Sequence, residues 1–116
     1  MAYKKYHNRK TVVQGITFDS LAEANRYCEL CILERIGEII ALECQPTFLL
    51  LPAFKDCTGK KERAITYKAD FRYQQDGRWI VEDVKSKATA KSRDWSLRRK
   101  LFKHRFPTIE LREVAA

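Results

Sequence analysis

Asp70, Asp83 and Lys85 are the residues whose types and spacing could do chemistry, because an Asp76-Gly77 pair lies between the two aspartates. Asp-Gly between two runs of β-forming residues is the signal for a two-residue type I′ hairpin turn. Counting outward from that turn, Gln75 opposes Arg78 and Asp70 opposes Asp83. The two aspartates then form a non-hydrogen-bonded pair, with Cα atoms roughly 4.5 Å apart. Like charges directly opposite destabilise a sheet, so something must compensate them. Lys85 is one compensator, since side chains two apart share a face. A divalent cation is the other, because hard cations take carboxylate oxygens. The same parity sends Glu82 to the opposite face, beside Phe71. A plain charge ladder of Lys68, Arg72 and Lys85 around solvated aspartates is the competing reading. Trp79 and Val81 fall on the same face and argue against simple solvation.

The elements that must position these residues are legible from pattern. Thr11-Val12-Val13 and Ile16-Thr17-Phe18 flank Gln14-Gly15 as a short hairpin. Ser20 and Glu23 form a capping box that opens a helix from about Leu21 to Ile36, stopped by Gly37. Leu21, Ala24, Cys28, Cys31 and Ile32 lie near one face of it, widened by Tyr27 and Leu30. Ile39–Leu42 and Thr47–Leu51 read as extended segments bent at Pro46. The continuous apolar run Phe48-Leu49-Leu50-Leu51 predicts a strand buried on both faces. Residues 52–63 read as a polar loop, 64–73 and 78–84 as strands, and 86–93 as a basic linker. A second helix covers Asp94–Phe106, stopped by Pro107, and a last strand covers Thr108–Val114. On that helix Trp95, Leu97, Leu101, Phe102 and Phe106 span a wide apolar arc. Arg98 and Arg105 fall inside the arc, and Arg98 is expected to face the carboxylates or a phosphate bound there. The order is helix, three strands, helix, strand.

At 116 residues the chain is long enough for one modest core, so we expect a single domain, residues 11–116, behind a basic arm, residues 1–10. The net charge is +8, and it is blocked. Lys4, Lys5, Arg9 and Lys10 make the arm +4, and residues 85–105 carry nine cations against Asp94 alone. That pattern fits a polyanion partner, whose phosphates Lys and Arg would neutralise; the competing reading is a solvated surface with a basic tail. No apolar run reaches membrane length and the N-terminus lacks a signal-peptide core, so a cytoplasmic setting without membrane contact is expected. Four cysteines are present. Cys28-x-x-Cys31 lies within the helical pattern with no second C-x-x-C, so neither zinc nor disulfides are expected, and buried core cysteines are.

Asp70, the hairpin and Asp83-Val84-Lys85 together resemble the signature of the PD-(D/E)XK nucleases, with Ala69 where the signature usually has Pro. The element order is similar to that superfamily's core. The resemblance therefore implies an α/β fold with a restriction-endonuclease-like αβββαβ core, a mixed central sheet flanked by two helices. Glu23 matches an additional helix-borne acid of Holliday junction resolvases and TnsA-like transposon endonucleases. The segments Tyr6-His7-Asn8-Arg9-Lys10-Thr11, Phe18-Asp19-Ser20, Glu23-Ala24-Asn25-Arg26-Tyr27, Gln45-Pro46 and Tyr67-x-Ala69-Asp70-Phe71 resemble a family of phage and prophage proteins over nearly the whole chain.

These resemblances imply an Mg²⁺-dependent endodeoxyribonuclease, with Mn²⁺ able to substitute, acting on DNA, with branched DNA such as Holliday junctions a candidate substrate. Asp70, Asp83, Glu23 and the Val84 carbonyl would hold the metal, and Lys85 would act on the attacking water and the transition state. Lys87, Lys91, Arg93, Arg98, Arg99, Lys5, Arg9 and Lys10 would contact nucleic acid, with Lys4 and His7 of the arm beside them. A homodimer is compatible with this reading. A non-catalytic nucleic-acid-binding module and a small phage structural or interaction protein are the alternatives. Gln45 either faces the site or simply occupies the Pro46 bend, and Glu23 has a capping task of its own.

Overall fold

The structure, a computed structural model, describes residues 10–116. A first hairpin pairs β1 (Thr11–Val13) with β2 (Ile16–Phe18). Ser20 then caps α1 (Leu21–Arg35): its Oγ accepts the Glu23 N–H at 3.2 Å. Gly37, at φ +84°, ends the helix in the left-handed conformation that glycine adopts without penalty. The chain continues through β3 (Ile40–Cys44), β4 (Thr47–Leu51), β5 (Phe54–Lys55), β6 (Lys61–Glu62), β7 (Ile65–Lys68), β8 (Phe71–Gln75) and β9 (Arg78–Lys85). A short helix α2 (Lys87–Ala90), helix α3 (Arg93–Arg105) and strand β10 (Glu110–Ala115) complete it.

The fold is α/β around a mixed four-stranded sheet in the order β10-β9-β8-β3. β10 runs parallel to β9, while β8 is antiparallel to both β9 and β3. Asp76 at φ 53° and Gly77 at φ 75° supply the two positive φ values of a type I′ turn. The register follows from that turn, running from Gln75↔Arg78 to Phe71↔Glu82. The ladder stops one residue short of the Asp70–Asp83 pair, because two strands bend there together. Gln45 takes φ 55°, next to buried Pro46, and separates β3 from β4. Ala69 and Asp70 separate β7 from β8 at the same level. The bends are stitched by Gln45 N–H to the Asp70 carbonyl at 2.8 Å and Ala69 N–H to the Pro46 carbonyl at 2.9 Å. Beyond the bend, β4 and β7 run on as a separate antiparallel ribbon.

Each face of the sheet has its own core. On one side α1 packs Ala24, Tyr27 and Leu30 with Phe18, Ile39, Phe71, Tyr73 and Ile80. On the other, Trp95 and Phe102 of α3 pack with Phe48, Leu50, Tyr67, Ala69 and Val81. β9 is covered on both sides, so Ile80, Val81, Glu82 and Asp83 are all buried.

Several expectations need correction. Leu21 and Ile32 are 60% and 56% exposed, and Cys28 is also exposed. The α1 face turned inward is centred on Tyr27, whose ring stacks on Phe71 and packs at a tilt against Phe18 and buries more apolar area than a cysteine could. The expected core cysteines are therefore not a set: Cys28 and Cys57 are exposed, Cys31 and Cys44 half-buried, and all four are free. Leu49 and Leu51 are exposed while Phe48 and Leu50 are buried, because among the described residues α3 covers one face of the β4–β7 ribbon and nothing covers the other. Residues 52–63 hold the β5–β6 hairpin, and the basic linker holds α2, capped by Ser86. Among the described residues no helix is long and apolar enough to cross a membrane.

Candidate active site

β9 delivers Asp83 and Lys85 to the α3 face at the end of the sheet where the strands bend. Asp83 is 4% exposed. The Tyr67 hydroxyl donates to its Oδ2, and Lys85 Nζ lies 3.4 Å from its Oδ1. The Lys85 ammonium also sits 4.2 Å from the centre of the Trp95 ring, a cation–π contact that restrains it. Asp70 stands on the bend itself. Its N–H bonds the Glu82 carbonyl at 3.2 Å, and its Oδ2 accepts the Val84 N–H at 2.7 Å.

The two carboxyls act on each other. Burial pushes Asp70 up to about 6; the Val84 N–H pulls against that, and Glu23 adds to it. Burial pushes Asp83 up to about 7, with the Asp70 charge the next cause and Lys85 and Tyr67 opposing. Asp83 lowers Asp70 while Asp70 raises Asp83, so Asp70 is the member that ionises first, the arrangement expected when two carboxyls share one proton. Burial and the Asp83 charge in turn hold the Tyr67 phenol far above its usual range.

Glu23 takes part in the cap of α1 and also borders the crevices beside Asp70 and Lys85. The Ser20 hydroxyl, which accepts the Glu23 N–H, donates to the Glu23 Oε2 at 3.2 Å. The same carboxylate lines crevices on either side of the site, one shared with Asp70, Gln45 and Lys68, the other with Val84, Lys85 and Ser86. Gln45 also lines the first crevice, but its Nε2 is committed to the Thr17 carbonyl at 2.9 Å.

Among the described residues no three His, Cys, Asp or Glu side chains converge as a ready-made metal set. The donors present still suit one kind of ion. Mg²⁺ keeps most of its waters and needs only one or two carboxylates, and an aspartate pair that resists double ionisation is relieved by a cation between its members. The structure shows Val84 contributing its N–H to Asp70.

The remaining expected residues divide. Arg98 does not face the carboxylates: it donates to the Thr66 carbonyl at 2.5 Å and pairs with Asp94 at 3.4 Å. Arg105 similarly reaches the Leu49 carbonyl at 3.4 Å. A ribbon only two strands wide leaves edge carbonyls unpaired, and these arginines satisfy them. Arg99 is held by Glu113 at 3.1 Å, which also accepts the Trp95 indole N–H at 2.7 Å. Arg72 pairs with Glu43 rather than with either aspartate, so the charge ladder does not form. Lys87, Lys91, Arg93 and Lys10 are exposed. Lys4, Lys5, His7 and Arg9 lie outside the described residues.

Two features escaped the sequence reading. Tyr67 shares a face with Asp83, which strand parity alone could not reveal across the bend. On the opposite face, Glu82 is completely buried in an ion pair. Arg26 of α1 grips it through Nε at 2.7 Å and Nη2 at 2.6 Å, and the Tyr73 hydroxyl donates to it as well. Parity along the hairpin does place Tyr73 with Glu82, so half of that cluster was available from pattern.

Residues 3–116 match the family described as Protein of unknown function (DUF1064). The chain belongs to this DUF1064 family. The match spans every element that carries the site, from Ser20 and α1 through the bend to β10. No curated protein and no solved structure matches the chain.

Proposed function

We propose that the chain is a metal-dependent phosphodiesterase acting on DNA, an endonuclease of the PD-(D/E)XK type with a restriction-endonuclease-like core. The observation that carries this reading is the juxtaposition of half-buried Asp70 and buried Asp83, both pushed up by burial and Asp83 further by the Asp70 charge, with the Lys85 ammonium 3.4 Å from Asp83. Such perturbed, opposed groups in a crevice mark reactive sites more often than structural ones. Asp70 and Asp83 would hold Mg²⁺ or Mn²⁺, with Glu23 at the edge of the same crevice. When bound, the ion supplies positive charge against the phosphate and activates water. Tyr67 and the Val84 N–H fix the two carboxylates in place. Lys85, steadied by Trp95, orients the attacking water and offsets negative charge building on the phosphate. Lys87, Lys91 and Arg93, exposed just beyond Lys85, supply grip on the backbone. Branched DNA is the substrate class the helix-borne Glu23 favours, and a homodimer would cut such a junction symmetrically. A role in phage or prophage DNA metabolism fits the sequence resemblance.

The test is a cleavage panel of junction, flap, duplex and single-stranded DNA, with RNA, in Mg²⁺ or Mn²⁺. The wild-type chain should cleave at least one DNA. Asp83→Ala and Lys85→Ala should each lose about a thousandfold or more in rate while still binding. Cleavage by either variant at the wild-type rate, or no cleavage by the wild-type chain, overturns the reading.

A further inference from the structure

The β5–β6 hairpin contributes nothing to either core. From Pro52 to Arg63 only Asp56 and Glu62 are even half-buried, yet the turn is firmly built. The Asp56 carboxylate accepts Thr58 N–H at 2.8 Å, Thr58 Oγ1 at 2.6 Å and Lys60 N–H at 3.0 Å. The Asp56 N–H bonds the Lys60 carbonyl at 2.9 Å, and Gly59 takes φ +85°. A stiff element that buries nothing has been ordered for some reason other than stability.

Its charges indicate the reason. Lys55 stands directly opposite Lys61 across the two strands. Like charges so placed repel, and none of Lys55, Lys60, Lys61 and Arg63 forms an ion pair among the described residues. Arg63 follows β6 by one residue, and alternation carried on from Lys61 turns it to the same face as Lys61 and Lys55. Phe54, 47% exposed, and Glu62 lie on the other face. The result is an uncompensated cationic face on a rigid ribbon.

The ribbon also has a fixed relation to the carboxylates. β4 and β7 leave the bend at Thr47↔Lys68 and run to Leu51↔Ile65, and the chain passes from Leu51 through Pro52 and Ala53 into β5–β6. At about 3.3 Å per residue, Lys55 stands up to roughly 26 Å along the ribbon from the bend. That is the length of about seven or eight base-pair steps at 3.4 Å each.

We propose that the Lys55, Lys61 and Arg63 face of the β5–β6 hairpin is a second nucleic-acid contact, gripping the phosphate backbone of a duplex arm away from the bend. It rests on the nucleic-acid part of the proposed function and is independent of cleavage. The test is binding without metal, in EDTA, to a series of duplexes lengthened on one side, with poly-glutamate as a competing polyanion. The wild-type chain should gain affinity as the arm grows past about eight base pairs. Lys55→Ala/Lys61→Ala/Arg63→Ala should lose that gain, bind the long duplex at least about tenfold more weakly, and show a salt slope lower by about two to three. Lys55→Arg/Lys61→Arg should keep wild-type affinity. With Mg²⁺ present, the triple-alanine variant should cleave a short duplex at the wild-type rate if the chain is a nuclease. A triple variant with full affinity and an unchanged slope overturns the proposal while leaving the nuclease reading intact. Poly-glutamate competing as well as duplex also overturns it, in favour of an acidic protein partner. Length-dependent binding with no cleavage of any substrate sustains it and removes the nuclease reading instead.

Discussion

Glu82 and Asp83 are neighbours on β9, both almost inaccessible, and strand alternation sends them into opposite surroundings. Glu82 meets a bidentate guanidinium and a phenol, the geometry in which a buried carboxylate is fully compensated. Asp83 also accepts from a phenol, that of Tyr67, but it meets another aspartate in place of a guanidinium, with one ammonium 3.4 Å away. Burial alone therefore marks neither as functional; what each faces does. The two sides are also coupled, because the Glu82 carbonyl accepts the Asp70 N–H at 3.2 Å. Arg26, gripping Glu82, lies one helical turn after Glu23 on α1. One side of β9 thus locks the helix and strand whose other ends form the crevice.

The largest effect should come from breaking the locked side. Arg26→Ala leaves the Glu82 carboxylate buried without its cation, at a cost of about 3–5 kcal/mol. Removing both charges as Arg26→Met/Glu82→Leu should recover most of that loss, since an apolar replacement of a buried pair is often near neutral. Urea unfolding of the two variants measures this. A cost under about 1 kcal/mol for Arg26→Ala would mean that water or another cation compensates Glu82, and the contrast between the neighbours would fail.

The open side should respond to pH and to metal instead. Burial, with the Glu23 charge, raises the folded pKa of Asp70 to about 6; burial, with the Asp70 charge, raises that of Asp83 to about 7. Below about pH 3 both groups are protonated in folded and unfolded chains alike, so they contribute no difference. As pH rises toward 7 the unfolded chain gives up these protons and the native one retains them, so metal-free stability falls. Asp83→Asn removes one charge of the pair. Its stability relative to the wild-type chain should rise between pH 4 and 8, by up to about 3 kcal/mol. Mg²⁺ should restore the wild-type melting temperature at pH 8 and leave that of Asp83→Asn nearly unchanged. Parallel pH profiles for the two proteins would show that the aspartates are not coupled.

Much of this contrast was legible in the sequence because it depends on short-range rules. Asp76-Gly77 dictates the turn, the turn dictates register, and register separates Glu82 from Asp83. Ser20 and Glu23 announce the start of α1, and Gly37 its end. What pattern could not supply depended on tertiary geometry. The joint bend at Gln45-Pro46 and Ala69-Asp70 takes Asp70 out of the ladder and brings Tyr67 to Asp83. Arg98 reads as a cation aimed at the site, but the free carbonyl of Thr66 on a two-stranded ribbon claims it. Leu49 and Leu51 read as core, yet among the described residues no second helix covers their side. The rotation of α1 follows the Tyr27 ring and not the count of apolar positions.

The smallest effect tests to which side Glu23 belongs. Ser20 and Ser92 cap α1 and α3 alike, each accepting the N–H three residues on, at 3.2 and 3.1 Å. Ser20→Ala and Ser92→Ala should therefore each cost about 1 kcal/mol of stability. Only Ser20 also donates to a carboxylate that lines the crevice, that of Glu23. Ser20→Ala should weaken Mn²⁺ binding, measured by titration calorimetry, by about threefold to tenfold, and Ser92→Ala should leave it unchanged. Equal metal affinity in both variants would place Glu23 with Glu82 among the acids that hold the fold, leaving Asp70 and Asp83 as the open pair.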